Sequence, residues 1–593
     1  MLRVYAFIAQ LRGFSGAGLF RKDLKILTRL GKGGSVKEKI KVGLLLDRWE
    51  VDAWIHSMIE RINASDYAHI DLVVLNSTQL PKSKPIFTKI KDNWGNITST
   101  LIWKLLVLVQ NKLIDRVECL PDAFVPKDLQ PLMPDVPIIE TTPIKKKFSD
   151  WVCDEDLEKI RSHNIDVFIR LGFRILKGGI LSSSKYGVWS YHHGDNTINR
   201  GGPAGFWETM QSWPETGSML QILTEDLDNG KVLYRSYSCT YDLSVRHNRN
   251  NYFWKSLAFI PRKLKDLYEL GGEKFLANVE EENRHPVFYA HKLYVQPTKL
   301  EYAHLLLRKL RQKARNNIFS RFYFHQWFLL FNLSEEFSGS LWRFKKILPP
   351  KDRFWADPHV LYREGNYFIF IEELLYKEHK GHIALIVMDE KGHYAPPVRV
   401  IEKPYHMSYP FVFEWENSIY MIPETSQNRT IELYKCVKFP DQWEFQMNLM
   451  ENVEALDTTL LYLDGKWWLF ANMVEHKGAP SWDELFLFYS DKLFSTDWTP
   501  HPLNPIVSDV KSARPSGRIF RKNGSIYRPS QNCSPHYGYG FNLCEIVVLN
   551  EREYRENVVV SVKPDWDKNI VSIHHFTHEK NLTLIDGQIR RRK

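Results

Sequence analysis

The sequence predicts an α/β domain with a Rossmann-like parallel sheet, followed by an all-β propeller. Two patterns lead to this prediction. Near the start, apolar runs alternate with a helix-periodic segment, which is typical of parallel strands joined by a crossover helix. In the second half, short aromatic strands and turns recur with a period of about 50 residues. The length of 593 residues also exceeds what one hydrophobic core usually supports.

The parallel sheet is predicted from the residues that follow Lys39. The runs KIKVGLLLD, from Lys39, and IDLVVLN, from Ile70, suit buried strands, and residues 48–62 between them have apolar side chains at helical spacing. The first turn lacks G-x-G-x-x-G, which argues against a dinucleotide site there. Further buried strands are predicted at residues 166–171, 187–191 and 218–223. The α/β domain is therefore expected over residues 39–245, with a helical connector over residues 246–321.

The propeller is predicted from a repeated unit of a strand, a turn centred on Gly or Asn, and an aromatic strand. Four copies start at Asp357, Tyr409, Asp457 and Arg514, with spacings of 52, 48 and 57 residues, and a weaker fifth starts at Ile573. A strand-only repeat of this length is typical of a propeller with one blade per copy. Five blades are expected over residues 322–593, with strands from about Gln326 to Ile347 closing the ring against the C-terminus.

Composition restricts the classes of partner and compartment. The net charge of +10 is a small excess of 80 basic over 70 acidic residues, and no nucleic-acid-binding motif accompanies it, so no nucleic-acid partner is expected. The six cysteines are scattered without a C-x-x-C pair, which favours a reducing, cytoplasmic setting. No apolar run is long enough to span a bilayer.

Residues 1–38 form a basic N-terminal segment. Between Met1 and Lys41 there are ten Lys or Arg residues against only Asp23 and Glu38. Two interpretations stay open: peripheral contact with the inner face of an anionic membrane, and a solvated basic tail. The segment has no apolar core followed by a small-residue cleavage site, so secretion is not expected.

Four elements after Ile165 resemble one enzyme family in their order. They are a strand followed by R-I-L-x-x-x-I-L, a strand ending G-x-x-x-x-H, the segment G-x-P-x-x-F-W, and a T-G that is followed by D-x-G. Together they resemble the family of methionyl-tRNA formyltransferase, sugar N-formyltransferases and glycinamide ribonucleotide formyltransferase. The resemblance implies transfer of a formyl group from N10-formyltetrahydrofolate to a primary amine.

The family's triad of Asn, His and Asp is carried over residue by residue. The histidine falls on His192, with His193 as the alternative for a one-residue slip, and the aspartate falls on Asp228. Ser190 stands at the asparagine position, which departs from the family. An imidazole that titrates near neutrality can accept the proton of an attacking amine, and a carboxylate can orient it.

The loop after this strand end is unusually polar for the family. His193, Asp195, Asn196 and Arg200 are the candidate contacts to the acceptor, an amino sugar carried on a nucleotide or a lipid. The alternative is a hydrogen-bonded loop without a binding role.

The A-D-P-H-V that begins at Ala356 resembles the first-blade motif of five-bladed glycosidases of the arabinanase and fructosidase type. It also resembles the propeller region of plant glucosamine inositolphosphorylceramide transferases. The glycosidase resemblance implies two Asp residues and a Glu as the acid–base set. In a propeller the inner strands start at the central axis, and the space they surround is called the funnel here. The residues predicted to line it are Asp357, Asp457, Glu373, Glu424, Arg514 and His574. No metal ligand is assigned.

These features predict formylation of an amino sugar in surface-glycan or glycolipid biosynthesis, with a propeller that recognises the glycan. Two alternatives stay open. In one, the N-terminal domain is degenerate and the propeller is a glycoside hydrolase or glycosyltransferase. In the other, the chain is a carbohydrate-binding scaffold.

Overall fold

The structure is a computed structural model that describes residues 37–78, 94–115, 121–226, 230–335 and 339–593. The predicted basic segment 1–38 lies outside these residues except for its last two. Asp228, the predicted catalytic aspartate, also lies outside them.

The N-terminal half is built on a seven-stranded sheet with the strand order β12-β11-β10-β8-β1-β3-β5. Its strands and those of two small sheets are β1 (Ile40–Leu46), β2 (Glu50–Asp52), β3 (Ala68–Asn76), β4 (Pro126–Asp128), β5 (Ile138–Thr141), β6 (Ile144–Lys145), β7 (Ser149–Trp151), β8 (Val167–Arg170), β9 (Ile175–Leu176), β10 (Val188–His192), β11 (Glu215–Ile222) and β12 (Lys231–Cys239). The helices of this half are α1 (Ala53–Asn63), α2 (Trp94–Leu113), α3 (Asp154–Ser162), α4 (Phe206–Gln211), α5 (Val245–Ser256), α6 (Phe259–Leu270), α7 (Gly272–Glu282) and α8 (Lys299–Phe322).

The predicted βαβ opening is confirmed. β1 pairs in parallel with β3 and with β8, and α1 makes the crossover between β1 and β3. Only β11 and β12 run antiparallel to their neighbours in this sheet. Gly43 is required in β1, because a Cβ there would lie 2.2 Å from a ring carbon of Phe168. This topology alone does not identify a formyltransferase.

The helices of the predicted connector pack into the core of the N-terminal half. Phe253 and Phe259 share one buried cluster with Val42 of β1, Trp54 of α1 and Trp189 of β10. The helical segment that begins at residue 246 is therefore a packed layer on the sheet, because burial of its apolar face stabilises both.

The second half consists of five antiparallel sheets in chain order. The strands are β13 (Tyr323–Leu333), β14 (Lys345–Ile347), β15 (Arg353–Arg363), β16 (Asn366–Leu375), β17 (Lys380–Asp389), β18 (Val398–Ile401), β19 (Ser408–Trp415), β20 (Ser418–Thr425), β21 (Thr430–Lys438), β22 (Gln442–Glu451), β23 (Ala455–Leu463), β24 (Lys466–Met473), β25 (Leu485–Ser490), β26 (Thr499–Pro500), β27 (Phe520–Lys522), β28 (Ser525–Asn532), β29 (Gly540–Leu549), β30 (Tyr554–Val562), β31 (Ile570–Ser572), β32 (Phe576–Glu579) and β33 (Leu582–Arg592).

Each of these sheets shares a buried apolar cluster with the next one, and the last sheet shares one with the first and fourth. The arrangement is therefore mostly sheet and propeller-like. The predicted pairing of the first strand with the C-terminus is confirmed, since β13 pairs with β33 from Tyr323 opposite Arg592 to Leu333 opposite Leu582. This pairing joins the two ends of the ring.

The two halves meet across a charged, buried contact. Lys255 Nζ lies 2.8 Å from Asp483 Oδ2, and their side chains are 1% and 0% exposed. Arg262 lies 2.8 Å from Glu484 in the same region. A backbone bridge also joins Tyr237 of β12 to Asp509. Among the described residues, no helix combines the length and apolar character that crossing a membrane requires.

Candidate functional site

Three inner strands of the propeller-like half have a β-bulge near their start. β15, β19 and β23 each have a bulge in their pairing with the next strand. Asp357, Tyr409 and Asp457 lie at these bulges, with φ of 52°, 43° and 52°. Residues other than glycine rarely adopt such angles, and bulges commonly re-aim a side chain near a functional site. These are three of the four repeat starts that the sequence predicts.

The first polar cluster of the funnel is formed by Asp357, His574 and Asp586. His574 Nδ1 lies 2.6 Å from Asp586 Oδ2, and His574 Nε2 lies 3.6 Å from Asp357 Oδ1. Asp586 Oδ1 accepts hydrogen bonds from the backbone N–H groups of His574 and His575. The backbone N–H of Tyr409 donates to Asp357 Oδ2 at 3.3 Å. All three members of the cluster are buried.

The second cluster lies around Asp457. Arg514 Nε donates to Asp457 Oδ2 at 2.5 Å, and the Gln531 amide donates to the same oxygen at 2.9 Å. Arg514 Nη2 also lies 3.4 Å from Glu424 Oε2. Each of these four residues is at most 7% exposed. One guanidinium is therefore shared by two buried carboxylates.

Burial and neighbouring charges shift the pKa values of side chains in both clusters. Burial lowers the pKa of His574, but the charges of Asp586 and Asp357 outweigh burial and raise it to about 9. Burial and the charge of Asp457 raise the pKa of Glu424 to about 7, although Arg514 opposes this shift. Burial likewise raises the pKa of Asp357 well above its usual range. At neutral pH His574 is thus a cation, while Glu424 is partly protonated.

The donor types of the first cluster suit a divalent cation. One ligand atom from each of Asp357, His574 and Asp586 lies within 4.8 Å of the others, a spacing compatible with a shared ion. A metal ion would have to displace the proton of His574, because only neutral imidazole is a ligand.

Five of the six predicted funnel residues contact another residue of this set, and one does not. Asp357 meets His574, and Asp457 meets Arg514, which meets Glu424. Glu373 instead binds within its own sheet, where it accepts from Trp355 at 2.9 Å and lies 3.0 Å from His382 Nε2. Sequence reasoning missed Asp586 and Gln531. A lone carboxylate inside the apolar strand that contains Asp586 was the available signal.

The predicted catalytic residues of the N-terminal half have partners within their own fold. Ser190 Oγ accepts a hydrogen bond from Arg170 Nη1 at 3.0 Å, and His192 Nε2 lies 2.9 Å from the backbone oxygen of Asn199. His193 is stacked on Phe253 at 3.8 Å, and burial lowers its pKa to about 3. His193 is therefore uncharged at neutral pH and packs against an aromatic side chain.

The predicted acceptor-binding residues contact their own loop. Asp195 Oδ1 accepts from both the backbone N–H and the hydroxyl of Thr197. The backbone oxygen of Asn196 accepts from Arg200 Nε at 2.8 Å. These contacts agree with the alternative of a hydrogen-bonded loop, because the side-chain groups meant for an acceptor are already engaged.

The propeller-like half matches a known family. A family model described as the N-terminal part of glucosamine inositolphosphorylceramide transferase 1 matches residues 348–580. The curated glucosamine inositolphosphorylceramide transferase 1 of Oryza sativa subsp. japonica is 35% identical over 206 residues, which are 34% of this chain and 27% of that protein. Its counterpart from Arabidopsis thaliana is 32% identical over 247 residues, which are 40% of this chain and 32% of that protein. The chain thus spans about a third or less of the length of these relatives.

Solved glycoside hydrolases resemble part of the chain more weakly. The family 117 glycoside hydrolase Zg3597 of Zobellia galactanivorans has a TM-score of 0.30 and 12% identity, covering 45% of this chain and 90% of its own. An exo-1,5-α-L-arabinanase from a bovine ruminal metagenomic library has a TM-score of 0.28 and 17% identity, covering 40% and 92%. Likeness at this level says nothing about chemistry.

The prediction of formyl transfer from tetrahydrofolate is wrong. The relatives are named as glucosamine inositolphosphorylceramide transferases, not as formyltransferases. The N-terminal site has a physical reason for the difference, since Ser190 stands where the family has an amide and its hydroxyl is bound by Arg170. Binding of N10-formyltetrahydrofolate was predicted only as part of that reaction and stays a prediction. The comparisons favour the alternative in which the propeller-like half determines the function.

Proposed function

We propose that this chain takes part in glycosyl transfer during glycolipid assembly, and that its funnel binds an amino sugar of the glucosamine type. The five antiparallel sheets act as the five blades of a propeller around that funnel. The matched relatives support this proposal, because their names combine glucosamine, inositolphosphorylceramide and transfer.

The observation that carries the proposal is the excess of buried carboxyl groups in the funnel. Asp357, Asp457, Glu424 and Asp586 are all buried, and the only cations in direct contact with them in the described chain are Arg514 and His574. Because the pKa values of Asp357 and Glu424 are raised, protons bound to these two carboxyl groups reduce the excess of negative charge. The ammonium group of an amino sugar can replace such a proton and donate charge-assisted hydrogen bonds.

The binding of an amino sugar is expected to depend on pH, because its ammonium group replaces a proton of a buried carboxyl group. Glu424 becomes a carboxylate as the pH rises through about 7. An ammonium ligand therefore binds more tightly at pH 7 than at pH 6, a range in which the amine of an amino sugar is still largely protonated. Neutral sugars of the same ring size lack this dependence.

Calorimetric titration of the full chain tests the proposal with glucosamine, N-acetylglucosamine and glucose. Glucosamine is expected to bind roughly tenfold or more tightly than the other two, since a hydrogen bond to a charged group contributes about 1.5–3 kcal/mol. Glu424→Gln should remove most of that preference. Glu281→Gln, on the exposed surface of α7, is the matched control. Equal affinity for all three sugars would refute the proposal.

One observation favours a second candidate function, in which the funnel also performs the transfer. A carboxyl group with a pKa of about 7 beside another carboxylate is suited to general acid–base catalysis. The reaction is followed by mass spectrometry with nucleotide-activated glucosamine and inositolphosphorylceramide. Catalysis in the funnel requires that Glu424→Gln abolish product even at substrate concentrations that saturate the variant. Unchanged turnover in that variant leaves the funnel as a binding site.

A further inference from the structure

Residues 533–540, the cap loop, connect β28 to β29 beside the two polar clusters and include the first residue of β29. The Tyr537 ring lies over the Arg514 guanidinium, with 5.0 Å between the ring centre and the guanidinium carbon. The same ring meets His574 edge-to-face at 5.4 Å. Arg514 and His574 are only 6% and 2% exposed. The Tyr537 ring therefore covers one member of each polar cluster at once.

Both ends of the cap loop are fixed to the propeller-like half. The backbone N–H of Cys533 donates to Val510 O at 3.0 Å, and the backbone N–H of Ile573 donates to Gly538 O at 2.9 Å. Gly538 has φ of 64°, and a Cβ there would lie 3.0 Å from atoms of His574 and Trp327. The close approach at Gly538 fixes this part of the loop against His574 and Trp327.

The outer part of the cap loop is held by the N-terminal half. Ser534 Oγ donates to Glu215 Oε1 of β11 at 2.6 Å, and Cys239 Sγ of β12 lies 3.2 Å from the backbone oxygen of Pro535. Lys511 Nζ lies 3.9 Å from the other oxygen of Glu215. Pro535 and His536 are exposed, and the Tyr537 ring that follows them packs against Trp482 and His574. The contacts of Ser534 and Pro535 with β11 and β12 therefore tie the first half of the loop to the N-terminal half.

We propose that the cap loop is a gate to the funnel, and that the N-terminal half holds it closed through Glu215. A sugar reaches Arg514 and the carboxylates only after the Tyr537 ring has moved off Arg514 and His574. The N-terminal sheet thereby acts as a positioning element for the propeller site. The ligand used to probe the gate rests on the proposed function, whereas the gate itself does not.

The first test measures the gate without any ligand, by hydrogen–deuterium exchange of the full chain. Glu215→Ala removes a charged hydrogen-bond acceptor, so exchange at residues 533–540 should rise roughly tenfold. Glu215→Gln keeps an acceptor for Ser534 and should restore much of the protection. Glu281→Ala, another acidic residue of the N-terminal half, is the control and should change nothing in the loop.

The second test measures association of glucosamine by stopped-flow mixing. Tyr537→Ala removes the covering ring, so the association rate should rise about tenfold if closed loops predominate. Glu215→Ala should raise the rate in the same direction. Tyr537→Phe keeps the ring and should leave the rate near that of the unmodified chain.

The outcomes separate the two proposals. Unchanged exchange in Glu215→Ala, or a lower association rate in Tyr537→Ala, overturns the gate. The second result would make Tyr537 a sugar-binding surface instead. If exchange rises as expected but glucosamine binds to no variant, the gate stands and the amino-sugar proposal fails.

Discussion

His192 was predicted as a catalytic residue and His574 as a funnel residue, and their surroundings differ sharply. His574 is buried between Asp357 and Asp586, and it stacks on Trp327 at 4.0 Å. His192 is half-buried, and its Nε2 has a backbone oxygen as its partner. Two carboxylates stabilise the charged form of the His574 imidazole, whereas the His192 imidazole contacts one neutral backbone oxygen.

This difference teaches that mutual contact locates a site better than a motif does. Groups whose protonation is shifted by specific neighbours tend to cluster at functional sites. Such groups form two adjoining clusters in the funnel, whereas Ser190, His192 and Asp195 hydrogen-bond to Arg170, to a backbone oxygen and to Thr197, contacts that also stabilise an ordinary loop. The comparison predicts large effects in the funnel and small ones at the N-terminal site.

The largest effect is expected from Arg514→Ala. This change leaves Asp457 and Glu424 buried without their shared cation, which should lower the free energy of unfolding by about 3–5 kcal/mol. Chemical denaturation measures the loss. Arg555→Ala, which removes an exposed partner of Glu553, should cost less than about 0.5 kcal/mol. Similar losses in the two variants would mean that the funnel cluster is not buried as described.

A smaller effect is expected from the proton on His574. Its pKa of about 9 lies above the ordinary 6.5, so its stabilisation is complete below pH 6.5 and is lost as the pH rises through 9. The shift corresponds to about 3 kcal/mol. The free energy of unfolding should therefore fall more steeply with pH in the unmodified chain than in His574→Asn. Parallel curves for the two proteins would contradict the charged state of His574.

The smallest effect is expected from His192→Ala. The change removes one hydrogen bond to a backbone oxygen, which should cost about 1 kcal/mol of unfolding free energy. Glucosamine affinity should stay the same, because His192 touches none of the funnel residues. A drop in affinity as large as that in Glu424→Gln would join the two regions into one site and end the contrast between them.

Much of the fold follows from sequence periodicity. The runs from Lys39 and Ile70 became paired parallel strands because continuous apolar stretches fit a sheet covered on both faces. The repeat starts Asp357, Tyr409 and Asp457 coincide with bulges because one local conformation recurs at each inner strand. Asp586 was missed although it ends the same weak repeat copy as His574, because the sequence does not show how β33 folds back to bring the two side chains together.

The error about the N-terminal reaction has a related cause. Order and spacing of the elements after Ile165 predict strands and turns, and β8, β10 and β11 were found there. The same pattern does not specify which side chains lie at the carboxyl ends of the parallel strands. Ser190 and the bond from Arg170 were the local departures, and they concern chemistry more than fold.

The ion pair of Lys255 with Asp483 has a consequence for how this architecture can be divided. If the chain were cut between its halves, Lys255 and Asp483 would lose each other, and the surfaces that the two halves cover would become exposed to water. Breaking this buried pair while the halves stay together would leave an uncompensated charge. The halves are thus expected to behave as a single cooperative unit in unfolding.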